Sequence, residues 1–107
     1  MGLVTSQIRY LYLTFLQHDL EYKIQLVTRT KMGLARSVSD ILNVGTDLDP
    51  DSPELKLLEK RRQRLLQVEK KLDAQMAIYQ GQLKAIDTEK ESVKRMLEKN
   101  VKQSFSY

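Results

Sequence analysis

Apolar side chains recur along this chain in steps of three and four. Between Tyr10 and Ile41 the positions 10, 13, 17, 20, 24, 27, 31, 34, 38 and 41 read Tyr, Leu, Gln, Leu, Ile, Val, Lys, Leu, Val and Ile. Eight of the ten are apolar, and that spacing returns to one face of a 3.6-residue helix rather than alternating across a strand. The stepping resumes at Leu55 and continues through 58, 62, 65, 69, 72, 76, 79, 83, 86, 90, 93 and 97, with Arg62, Glu69 and Lys90 as the only polar steps. Between the two runs, Gly45 to Pro53 breaks the pattern. Pro50 disfavours helix at Asp49. Ser52-Pro53-Glu54 is a helix-start signal, because serine caps, proline tolerates the first helical position and glutamate meets the positive dipole end. Thr5 or Ser6 is the expected cap of the first helix, and Gly45, in a left-handed C′ conformation, its expected end.

The pattern predicts an all-α chain of one domain over 1–107: helix 5–44, turn 45–52 and helix 53–103. The helices would be roughly 60 and 75 Å long at 1.5 Å per residue. A short connection between two such helices favours an antiparallel, coiled-coil-like hairpin. Such a hairpin buries one stripe per helix, so the opposite faces are informative. At ~100° per residue, Val4, Ile8, Leu11, Phe15, Tyr22, Leu26 and Gly33 fall opposite the Leu13/Leu20/Val27 stripe. His18 and Asp19 interrupt that series. On the second helix Ala74, Ala77, Gly81, Ala85, Thr88 and Ser92 lie opposite Leu72, Met76, Tyr79, Leu83 and Ile86. A helix apolar on two sides is normally buried on two sides, and a ridge of small residues lets another helix approach closely. The hairpin is therefore expected to pack into a larger helical assembly. Its expected interface residues are Ile8, Leu11, Phe15, Tyr22, Leu26, Ala74, Ala77, Gly81 and Ala85.

Composition narrows the chemistry. The 107 residues include no cysteine, which removes disulfides, thiolate metal sites and cysteine nucleophiles together. The formal net charge is +4, and 30% of residues are charged. Five bases and three acids lie in residues 1–44, three aspartates in 45–52, and thirteen bases and eight acids in 53–107, or +2, −3 and +5. Acids and bases interleave along the second helix, the pattern of a solvated face. Arg9 and several hydroxyls interrupt the apolar start, and no small-residue cleavage site follows. The uncharged run from Tyr10 to Gln17 is far below the ~20 residues that span a bilayer. The expectation is a chain without a transmembrane segment or cleavable leader, either cytoplasmic or exported by a leaderless route. The opening Met1-Gly2-Leu3-Val4-Thr5-Ser6 fits the loose myristoylation pattern, but stable anchoring needs a second signal and no basic cluster adjoins it.

Motifs for catalysis are sparse. Asp47-x-Asp49-x-Asp51 resembles the start of a calcium loop. The loop glycine would fall on Ser52 and the bidentate glutamate on Leu58, so turn formation and capping account better for the aspartates. His18 is the single histidine, and no paired carboxylates or Gly-rich phosphate loop accompany it. The chain is read as a non-enzyme without catalytic, cofactor or metal residues. Lys60-Arg61-Arg62-Gln63-Arg64 and Lys70-Lys71 have the charge to touch phosphates. They lack interleaved aromatics and adjoin Glu59 and Glu69, so a nucleic-acid or membrane-surface role ranks last.

The opening Met1-Gly2-Leu3 with Ser6-Gln7-x-Arg9, continuing Leu11-x-Leu13-Thr14, resembles a group of short uncharacterised bacterial proteins over the first third of the chain. The overall plan is similar to the needle subunits of type III secretion systems, helical hairpins with a Pro-Ser-x-Pro turn that stack into a hollow filament. Here the turn reads Pro50-Asp51-Ser52-Pro53, and the chain ends in Val101-Lys102-Gln103-Ser104-Phe105-Ser106-Tyr107, apolar enough to dock. This chain departs from that group in its length and its much longer second helix. The resemblance implies a structural protein that forms a homo-oligomer or filament, with secretion as the process served. The alternative is a coiled-coil adaptor or chaperone whose protein–protein interaction uses the same faces on a different helical protein.

Overall fold

The computed structural model describes residues 2–105. Met1 of the opening pattern and Ser106 and Tyr107 of the tail lie outside the described residues. The described chain is all-helical: α1 runs Leu3–Gly45 and α2 runs Pro53–Ser104. The two helices pack against each other as an antiparallel hairpin, in two compact units. One comprises residues up to Ile24 together with those from Ile78 onward; the other comprises Gln25–Ala77.

Local chemistry explains the helix ends. α1 opens at Leu3 because Gly2 takes the cap position, its carbonyl accepting the Ser6 amide at 3.1 Å. The expectation that Thr5 or Ser6 caps the helix is thereby corrected. Ser6 is fully buried instead, and the Asn100 side-chain amide approaches its hydroxyl at 3.4 Å. It is one further step of the inner stripe, four residues before Tyr10, where a small side chain allows close approach. α1 does end at Gly45, and only the conformation expected there is corrected. Gly45 adopts no left-handed conformation; the helix unwinds through short-range bonds from Asp47 to the Val44 carbonyl and from Leu48 to the Gly45 carbonyl. Its role is clearance, since a Cβ there would lie 3.3 Å from Leu55 Cδ1. Ser52 caps α2 as its sequence suggests, its hydroxyl accepting the Leu55 amide at 3.2 Å. The Asp49 carboxylate accepts the Asp51 amide at 3.1 Å, an Asx turn that closes the connection.

In the unit formed by the two chain ends, partners climb on α1 as they descend on α2: Ser6 with Asn100, Gln17 with Asp87, Lys23 with Tyr79. In the middle unit Lys31 pairs with Asp73, and Gly45 lies against Leu55. Every position of both inner stripes is buried or half-buried. Full burial of apolar side chains among the described residues is confined to Leu13, Leu20, Val27 and Val93.

Candidate helix-packing interface

Two polar steps of the inner stripes, Gln17 and Lys90, pair with each other, and Lys31 and Arg62 find partners beside the stripes. Gln17 donates from Nε2 to the Asp87 carboxylate at 2.8 Å, and its Oε1 accepts Lys90 Nζ at 2.7 Å. The same ammonium sits 5.1 Å from the centre of the Tyr10 ring, a cation–π contact. Arg9 pairs with Glu89 beside this layer. In the middle unit Lys31 pairs with Asp73, and Arg62 grips Glu59 with two nitrogens, Nε at 2.9 Å and Nη2 at 2.8 Å. The Arg62 guanidinium holds the Glu59 carboxyl below its ordinary range and is itself raised by it. The Asp73 carboxylate raises Lys31, and Asp19, 2.9 Å away, raises Lys23. These are surface pairs, individually worth little in stability. Their geometric effect is larger, because a one-step slip of α1 along α2 would leave Gln17 and Lys90 facing apolar residues.

The outer faces carry the expected interface residues, and all nine are exposed: Ile8, Leu11, Phe15, Tyr22 and Leu26 on α1, and Ala74, Ala77, Gly81 and Ala85 on α2. On α1 within the chain-end unit, Val4, Ile8, Leu11, Phe15 and Tyr22 expose 60–68% of their surface and follow one three–four series. Tyr12, at 60%, widens that stripe and was missed because it sits one place off the series. His18, exposed, fills the gap in the series, while Asp19 turns toward Lys23. On α2 a Cβ at Gly81 would meet nothing within 4 Å. The Thr88 hydroxyl in the same ridge donates to its own helix, to the Lys84 carbonyl at 3.0 Å. Ile78, 57% exposed, edges this ridge and escaped the sequence reading because its neighbours are small. The basic segment splits: Arg62 is half-buried and pairs with Glu59 one turn earlier on the same helix, whereas Lys60, Arg61 and Arg64 are exposed.

No helix among the described residues is long and apolar enough to cross a membrane. No family model, curated protein sequence or solved structure matches this chain.

Proposed function

We propose that the chain is a non-catalytic structural subunit that assembles with copies of itself through its outer helix faces, as part of a filament or secretion-related assembly. One observation carries this reading: among the described residues four apolar side chains are fully buried while fifteen large ones are exposed, six of them clustered on the first half of α1. The accessible surface is 8301 Å², against about 6,200 Å² for a folded monomer of this mass. The difference, about 2,100 Å², is more than twice the roughly 800 Å² that one partner contributes to a standard protein–protein interface. The resemblance to needle-type hairpins supports the filament form of this proposal, and the small-residue ridge of α2 supplies a second face on which a helix can settle.

Light scattering and thermal unfolding across a concentration series test it. A subunit that binds its own copies gains apparent stability by mass action, so the midpoint should climb with concentration as oligomers appear. A monomer whose midpoint is independent of concentration would overturn self-assembly in favour of an adaptor that needs a different helical protein.

A further inference from the structure

Resting on that reading, we propose a specific first contact: a second copy of the chain docks antiparallel on the outer face of α1, with a twofold axis passing between Leu11 and Phe15. The face is Val4, Ile8, Leu11, Phe15, His18 and Tyr22, whose steps of four, three, four, three and four are those of a coiled-coil seam.

Area argues for a second copy. Taking about 200 Å² for a fully exposed large apolar side chain, Val4, Ile8, Leu11, Tyr12, Phe15 and Tyr22 together expose roughly 770 Å². A standard interface removes about 800 Å² from each partner, so two such faces are matched in size.

Register argues for the antiparallel direction. Layering the two kinds of seam position against each other brings Val4 to Tyr22, Ile8 to His18 and Leu11 to Phe15, each layer occurring twice by symmetry. At the flanks Thr5 then faces Asp19, Gln7 faces Glu21 and Tyr12 faces its own copy, so no like charges meet. A parallel pair would set His18 against His18. The antiparallel dimer leaves the Gly81/Ala85 face of α2 uncovered for a further contact.

The absence of cysteine makes single-cysteine cross-linking of the full chain direct. Under mild oxidation Tyr12→Cys should form an intermolecular disulfide at more than tenfold the yield of Ile8→Cys or Tyr22→Cys. Phe15→Glu should raise the dimer dissociation constant more than a hundredfold while circular dichroism stays helical. Efficient cross-linking of Ile8→Cys and Tyr22→Cys would overturn the antiparallel register. Oligomers that survive Phe15→Glu and cross-link through Gly81→Cys would overturn the α1 face and leave self-assembly standing. A chain that stays monomeric at 100-fold dilution and at high concentration alike, or that floats as a monomer with phosphatidylcholine–phosphatidylserine vesicles, would overturn both.

Discussion

Two glycines with opposite surroundings test the local picture. At Gly81 an added methyl group meets open space, so Gly81→Ala should recover the helix penalty of glycine, about 0.5–1 kcal/mol, in urea unfolding of the unassembled chain. At Gly45 the methyl group meets Leu55 Cδ1, and the gain should be visibly smaller. Equal gains would mean that the helix ends do not approach each other there. The bulkier Gly81→Leu should leave the subunit helical but weaken assembly, if the α2 ridge is used; unchanged oligomer size would make that ridge plain surface. Residues are also where the sequence was least transparent. Ser52 announced its cap because the motif is complete within three residues. Ser6 carried the same hydroxyl but is buried against Asn100, a partner 94 positions away that no local pattern names.

Between residue and chain, the helices divide labour by face. Leu20 is 7% exposed in the inner stripe, whereas Phe15, five residues earlier on the same helix, is 68% exposed. Leu20→Ala should therefore cost roughly 2–5 kcal/mol of stability through the cavity it leaves. Phe15→Ala should cost far less in the unassembled chain; comparable losses by denaturant midpoint would refute the separation of faces. The polar layer makes a different prediction. Replacing Gln17 and Lys90 together by leucine removes the desolvation cost of that layer, so stability should rise, but amide NMR spectra should show more than one set of peaks as the helices slip. A single sharp set would show that register is fixed elsewhere. Both stripes were legible because steps of three and four return to one side of a helix and here run nearly the length of each element, whereas the outer series of α1 is interrupted at His18 and Asp19 and stops at Gly33. The cross-helix pairs were not, since periodicity says which residues face in and is silent on which residue of α2 each one meets. That depends on how many residues the turn consumes.

For the molecule as a whole, the charged pairs set a shallow pH profile. The Glu59 carboxyl lies below its ordinary 4.5, so its contribution is complete above that value and fades as pH falls through the lower folded-state value. Lys23 and Lys31 lie above 10.5, so theirs is complete below that value and fades as pH rises through the higher folded-state values. Urea midpoints of the chain should form a plateau between, and Glu59→Gln should flatten the acid limb; an identical limb would remove this pair from the account. The unit of Gln25–Ala77 is contiguous in sequence, but the other is assembled from the first and last segments of the chain. On a ribosome adding about 5–20 residues per second, Leu20 exists for roughly 4–15 s before Val93 is made. Throughout that interval the first half of α1 carries two unfilled apolar faces instead of one. On the proposed reading, newborn chains would be most adhesive along the first half of α1, and neighbours on one message would meet there before either has finished folding.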